Sequence, residues 1–296
     1  MIKDFFKNNN YDFLEDAPLI NYNTYHIKSK AKFLVFPNNV DELINLVKYL
    51  KENNIEYIFL GNGSNIILAN SYYDKVFIKL DKINYIKIDK NIVTAGAGVS
   101  LIKLALDCAL ANLSGLEFAC AIPGLVGAST AMNAGAYNSS IKDILVSAKV
   151  LTPNLEIKEF KTDDLNYEYR DSFLKKNKDY VCLEATFKLE EKDSEEILEL
   201  MSSRQERRID TQPLSYPSAG SVFRNPTNLY AGELIENCGL KGTNINGAEV
   251  SEKHANFIIN KKDAKGSDII ELINTVKKQV KDKYNIDLIL EQEIIR

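Results

Sequence analysis

IPGLVGASTAMNAGAY, residues 122–137, is the stretch on which the reading of this chain turns. It carries Pro123, Gly124, Gly127 and Gly135, with Ala128, Ser129, Ala131, Asn133, Ala134 and Ala136 among them. So few bulky side chains leave backbone against which a flat or extended ligand can lie. The same residues suit a helix packed tightly on its neighbour, and the stretch alone does not separate the two readings. A second glycine-bearing stretch stands upstream: Gly61-Asn62-Gly63-Ser64-Asn65, between the strand-like IEYIFL and IIL. Glycine there permits positive φ and a close approach of backbone to ligand. Successive N–H groups in such a turn form an anion nest, and Ser64 and the two Asn side chains add donors. The pattern is neither GxGxxG opening a helix nor GK[ST], so the Rossmann and Walker A fingerprints both fail. A plain tight turn is the competing reading. Two such stretches, both expected to follow strands, point together to a diphosphate-bearing cofactor.

Outward from these stretches, period-2 and period-3.6 patterns alternate. KFLVFP (from Lys32), VFIKL, INYIKID and NIVTAGAG read as strands, with Asp89-Lys90-Asn91 as a turn. DELINLVKYLKEN reads as a helix from Asp41, and LIKLALDCALAN as a helix with Ser100 as its N-cap. ILVSAKVLT and LEIKEF pair across Pro153-Asn154, Asp163 caps a short helix ending near Tyr169-Arg170, and YVCLEATFKL is a strand. SEEILELMSSRQERRID is a charged connecting helix. Beyond it, residues 213–227 are rich in Pro, Gly and Ser; helices follow near 229–238 and 267–283, with GAEVS and FIIN as strands between them. IDLILEQEIIR closes the chain as an alternating strand. The expected fold class is α+β.

At 296 residues with 45% hydrophobic and 26% charged side chains, the chain has the balance of a globular protein of two or three domains. With a net charge of −4 no strongly basic patch dominates the composition, so nucleic acid is not an expected partner, although local pockets can still be basic. The first residues show no signal-peptide core, and no apolar run of about 18 residues suggests a membrane span. Cys108, Cys120, Cys182 and Cys238 form no CxxC pair and sit among apolar neighbours, so they read as reduced, buried thiols. No Cys or His cluster suggests a metal, and His254 reads as a packed or solvent-facing histidine. A cytoplasmic protein, monomeric or weakly associating, is the expectation.

Together the two glycine stretches resemble the FAD-binding domain of the vanillyl-alcohol oxidase type. The likeness then narrows. IPGLVGASTAMNAGAY is similar to a signature of the UDP-N-acetylenolpyruvoylglucosamine reductase family. Tyr169-Arg170-Asp171-Ser172 resembles that family's catalytic arginine motif. The run YPSAGSVFRNP from Tyr216, which holds Ser221 and Asn225, resembles its serine motif. Leu290-Glu291-Gln292-Glu293-Ile294 resembles its C-terminal glutamate motif. Asn23-Thr24 and Gly247-Ala248-Glu249-Val250-Ser251 fit as well, in the same order from about residue 20 onward. Two departures stand out. Ile27-Lys28-Ser29-Lys30 occupies a place where the family carries a Gly-Gly pair, and Thr211 stands where some relatives have lysine. The inserted tyrosine loop of one subgroup is missing, so the shorter subgroup is the one resembled.

The resemblance implies FAD as cofactor, NADPH as reductant and a UDP-sugar enolpyruvyl ether as substrate. It implies that Arg170 and Glu293 stabilise the enol and that Ser221 delivers its proton. Flavin contacts are implied for Gly61, Asn62, Gly63, Ser64, Asn65, Pro123, Gly124, Gly127, Ala128, Asn133, Gly135 and Arg208. Substrate contacts are implied for Tyr169 and Asn225. For Arg170 and Glu293 to meet one flavin, the last strand must return to the FAD-binding half. The expected parts are therefore 1–80 and 81–205 with 286–296 as two FAD-binding subdomains, and 206–285 as a substrate-binding, lid-like domain. By residue type alone, Arg170 and Glu293 also read as surface charges, Ser221 as a turn residue and Arg208 as a helix-surface charge. An oxidase on the same scaffold, or a nucleotide-binding module without chemistry, are the competing functions. Reduction by NADPH and turnover of substrate separate them.

Overall fold

The computed structural model describes residues 2–296, and these fall into two compact units. The first takes in the chain through Leu14, Phe33–Gly61 and Lys75–Glu206. The second takes in Glu15–Lys32, Asn62–Asp74 and Arg207–Arg296.

The first unit is built on an antiparallel sheet ordered Ile157–Lys161, Leu145–Leu151, Val181–Lys188, Ile92–Gly96, Ile86–Asp89. Alternation sets its register: Ala185 faces Ala95 and Phe187 faces Val93, with one side of each strand turned into the core. The helix Leu101–Leu110 covers that core with Leu104, Ala105, Cys108 and Ala109. It starts at Ser100, whose hydroxyl accepts from the N–H of Lys103, as the sequence leads one to expect. A second core forms around Val40–Glu52, where Leu43, Leu46, Val47 and Leu50 recur at helical spacing against Phe6, Phe33 and Ile78. This helix is capped by Asn39 rather than entered at Asp41, because Asn39 Oδ1 accepts from the N–H of Glu42 at 2.9 Å.

Three expectations change here. The small-residue run does not follow a strand, and of its two readings the structure takes the packed helix. It follows a 3-10 turn, Glu117–Ala119, and from Val126 to Met132 it is a helix packed on Val181–Lys188. The helix expected after Asp163 is a single 3-10 turn, Thr162–Leu165, stopped by Asn166 in the left-handed region (φ 45°). Residues 83–85 lie outside the strand Ile86–Asp89.

The second unit carries an antiparallel sheet ordered Asn244–Ile245, Ala248–Val250, Ile258–Asn260. The helix Gly266–Tyr284 packs on it with Ile269, Leu272, Ile273, Val276 and Val280 buried. The last strand is Glu293–Ile295 alone, paired in parallel with Ile66–Leu68. Asn285, left-handed at φ 56°, ends the preceding helix, and in the alternating pattern that follows Leu290 makes only an isolated bridge to Phe223.

Candidate active site

Arg170 sits at the second central position of a two-residue turn closed by Glu168 and Asp171, whose N–H and C=O groups exchange hydrogen bonds at 3.1 and 3.3 Å. Its φ is +56°, a region that glycine and asparagine usually fill. Such a backbone persists only where the surroundings fix it. Four contacts do so. Asn133 Nδ2 donates to Glu168 O at 2.8 Å, Tyr167 OH to Thr130 O at 3.0 Å, Ser172 Oγ to Ala131 O at 2.6 Å, and Lys175 Nζ to Arg170 O at 2.8 Å. The turn is thereby stitched to the helix Val126–Met132 and to its C-cap, Asn133. The Arg170 guanidinium donates to the carbonyl of Gly135 and lies 5.1 Å from the ring of Tyr169. Gly135 belongs to a hairpin whose turn residues, Tyr137 and Asn138, both have positive φ. Tyr137 is pinned there by its hydroxyl on Arg204 O at 3.0 Å and by the Arg204 guanidinium over its ring.

The residues of 122–137 mostly serve this scaffold. The N–H of Val126 goes to Val99 O and that of Gly127 to Ala97 O, so neither remains for a ligand. A Cβ on Gly127 would lie 2.8 Å from Ala97 Cβ and 3.0 Å from Cys182 O, so this glycine allows the helix onto the sheet. Gly124 is turned against the hydroxyl of Ser129, which a Cβ would meet at 2.4 Å. Pro123 precedes it, and Ala128 lies on the helix with its Cβ 3.0 Å from where one on Gly61 would be. Asn133 is buried and fully engaged, because its Oδ1 also accepts from the N–H of Lys142.

In the second unit, Gly63 has φ +66°, and a Cβ there would lie 2.1 Å from Tyr22 O. Its carbonyl accepts from the N–H of Thr24 at 3.1 Å. Asn65 supports the last strand: its carbonyl accepts from the N–H of Glu293 at 2.9 Å and its Nδ2 donates to Glu291 O at 3.2 Å. Among the described residues, the N–H groups of Gly63 and Ser64 have no acceptor in the chain. Adjacent undonated N–H groups on a turn fit an anionic diphosphate. The Ile27-Lys28-Ser29-Lys30 stretch needs no glycine, since the left-handed residue there is His26 and Asn23 closes the loop onto Leu19 O, Ile27 O and Ile27 N–H.

Ser221 and Glu293 lie in the same unit on segments joined by buried amides. Gln292, 3% exposed, donates from Nε2 to Ala219 O and Gly220 O and accepts from Tyr25 OH at 3.0 Å. Asn256 brackets Phe223, accepting from its N–H at 3.0 Å and donating to its carbonyl at 2.9 Å. Backbone bonds from Val222 to Asn256 and from Glu291 to Val222 complete the clamp. Ser221 and Glu293 themselves are half-buried. Sequence reading missed Gln292, Asn256 and Tyr25 as supports. Their signal was present: Gln292 lies inside the quoted glutamate motif, and Asn256 interrupts an apolar run.

Other expected residues take plainer places. Asn225 Oδ1 accepts from the N–H of Ala231 at 3.0 Å and so holds the start of Ala231–Asn237. Tyr169 is exposed. Arg208 is half-buried on Ser194–Thr211, and Thr211 turns its hydroxyl back onto Arg207 O. His254 is packed edge-on to Phe257, and burial lowers its pKa. The four thiols are free, and burial pushes Cys108 and Cys182 up to about 12. Among the described residues no His, Cys, Asp and Glu group could hold a metal, and no helix is long and apolar enough to cross a membrane.

The antiparallel sheet with its small-residue helix, and the glycine turn beside the last strand, define a flavin-binding oxidoreductase. A family model described as "FAD binding domain" matches residues 31–161. One described as "UDP-N-acetylenolpyruvoylglucosamine reductase, C-terminal domain" matches residues 212–295. The UDP-N-acetylenolpyruvoylglucosamine reductase of Caldicellulosiruptor bescii is 44% identical, covering 98% of this chain and 92% of the relative. That of Bacillus subtilis is 41% identical, covering 95% and 93%. The crystal structure of UDP-N-acetylenolpyruvylglucosamine reductase from Thermus caldophilus superposes with a TM-score of 0.81 at 30% identity, covering 97% of this chain and 99% of that one. The chain belongs to the UDP-N-acetylenolpyruvoylglucosamine reductase family, and its fold is the α+β FAD-binding fold expected from its sequence.

Proposed function

We propose that this chain reduces the enolpyruvyl ether of a UDP-N-acetylglucosamine substrate to the lactyl ether, UDP-N-acetylmuramate, with NADPH as reductant. This is a cytoplasmic step toward peptidoglycan precursors. The observation that carries the reading is the clamp of Gln292 and Asn256, which holds the serine and glutamate motifs together in a chain whose relatives bear this reductase name throughout.

FAD, when bound, would supply the hydride that NADPH provides for the vinyl carbon. Everything else falls to the chain. Hydride addition leaves developing negative charge beside the substrate carboxylate. The guanidinium of Arg170 stays charged and can grip that carboxylate through two N–H groups. Fixed donors of this kind are commonly worth on the order of 3 kcal/mol each in the transition state. Ser221 delivers a proton to the adjacent carbon, so hydride and proton together saturate the double bond. Glu293 acts on the enol oxygen or on its proton. Ser64, Gly63 and their neighbours hold the cofactor's diphosphate, and 206–285 binds the UDP-sugar.

The test is an anaerobic absorbance series on purified protein. Flavin absorbance should bleach with NADPH and return when the enolpyruvyl UDP-sugar is added. Bound flavin that the substrate fails to reoxidise would leave the scaffold and remove the assigned substrate.

A further inference from the structure

Lys79 interrupts the apolar run VFIKL, one residue before its end, and its side chain is only 4% exposed. Its backbone N–H donates to Val35 O at 3.0 Å, which fixes the strand end. Its Nζ donates to the carbonyl of Gly61 at 2.7 Å. Asp81 Oδ1 lies 3.2 Å away, at ion-pair distance but off the hydrogen-bonding direction. On Gly61's other side, an added Cβ would come within 3.0 Å of Ala128 Cβ. Gly61 is thus held between a buried ammonium and the helix Val126–Met132.

Burying a lysine against a carbonyl is costly, since the ammonium gives up its hydration. Its burial lowers its pKa, and Asp81 pulls the value partly back. A neutral donor would hold the turn as well; only the lysine adds charge. No peptide bond among the described residues is cis, so the C=O of Gly61 and the N–H of the next residue point in opposite directions. A cation on the carbonyl polarises that peptide and strengthens its N–H as a donor. The stretch that follows offers the undonated N–H groups of Gly63 and Ser64.

We infer that Lys79 is a positioning residue for the cofactor: its buried ammonium fixes and polarises the Gly61-Asn62 peptide, so that the glycine stretch retains the FAD diphosphate. The inference rests on the reading that residues 61–65 hold that diphosphate. A neighbouring charge of this kind needs no contact with the flavin ring, so ring spectra stay as they are.

The experiment measures the FAD dissociation constant of the holoprotein on dilution, by flavin fluorescence, together with the urea unfolding midpoint. The variants are Lys79→Met, Lys79→Gln and Lys79→Arg. Lys79→Met should weaken FAD by about tenfold or more, without shifting the flavin absorption bands and without lowering the urea midpoint when each protein is unfolded at the same multiple of its own dissociation constant, where bound FAD stabilises all of them equally. Lys79→Gln, which keeps a donor but no charge, should fall between, and Lys79→Arg should recover most of the affinity. An FAD affinity within about twofold of wild type in Lys79→Met overturns the inference. So does a loss that Arg fails to restore while the urea midpoint drops, since that is a structural role alone. If no charge-removing variant folds, Lys79 is a determinant of folding and the inference falls. Wild-type protein that holds no FAD is a separate failure, of the cofactor reading itself.

Discussion

Arg170 combines two demands that pull on the residue type in opposite ways. Its φ of +56° favours glycine, and its guanidinium is what the proposed chemistry requires. Strain at such a position costs on the order of 1–3 kcal/mol, borne here by the stitches from Asn133, Tyr167, Ser172 and Lys175. Arg170→Gly should therefore keep or raise the melting temperature while slowing reoxidation of reduced flavin by the enolpyruvyl substrate by about 10²–10³-fold. Reduction by NADPH should stay near normal. Equal loss in both half-reactions, with a lower melting temperature, would show that the residue holds the turn and not the substrate. Ser221→Ala separates differently. The side chain is half-buried and the backbone around it is held by other residues, so stability should be unchanged. Substrate reoxidation should fall by about 10³-fold, and stopped-flow absorbance reads both steps; unchanged reoxidation sinks the proton-delivery role.

At the scale of elements, the clamp on the serine segment is the feature most open to test. Removing the Asn256 amide leaves the N–H and C=O of Phe223 buried without partners, at about 1–3 kcal/mol for each such group. Asn256→Ala should lower stability by about 2–4 kcal/mol in urea and slow the substrate half-reaction more than flavin reduction. A stability loss with both half-reactions intact would show that the clamp does not position Ser221. Much of this architecture was legible beforehand. The helix capped at Ser100, the helix on Val40–Glu52 and the strands around 145–151 and 181–188 follow directly from periodicity and caps. What failed were the elements decided by long-range partners. The run of small residues became a helix because Ala97 and Cys182 receive it, and nothing local in GASTAM distinguishes that from a loop. The terminal strand was overextended because period-2 alternation in IDLILEQ meets only an isolated bridge, Leu290 to Phe223, before Glu293 pairs with Ile66. Gly63 was expected to be small for the cofactor's sake. The structure adds a nearer reason, the Tyr22 carbonyl, and so Gly63→Val would disturb the loop before any flavin arrived. The motif resemblance nominates Arg170, Ser221 and Glu293; it is silent on Asn256 and Lys79 and on the support given by Gln292, which exist only once distant segments meet.

For the whole molecule, the cysteines offer a reporter of how the cofactor stabilises the unit that bears most of its matched domain. Cys108, Cys120 and Cys182 all lie in the core of the first unit and are each at most 4% exposed, whereas Cys238 is half-exposed in the second. Burial holds the Cys108 and Cys182 thiols protonated to about 12, against 9.0 for an exposed thiol. Thiolate is the reactive form, so native protein near pH 8 should react with an aromatic disulfide reagent at Cys238 alone. The sign for stability follows from the same shift. Above pH 9 the unfolded thiols release protons that the folded ones keep, so the folded state binds more protons and stability falls as pH climbs from 9 toward 12. Labelling of the three core thiols then requires that unit to open. If opening releases FAD, a concentration of about 100 times the dissociation constant lowers the open population, and the labelling rate, by about 100-fold. The count of thiols labelled by mass spectrometry, with and without FAD, measures this. Core thiols that react at the same rate in both conditions would mean that they open locally with the flavin still in place, and that cofactor binding is not coupled to the packing around Cys108 and Cys182.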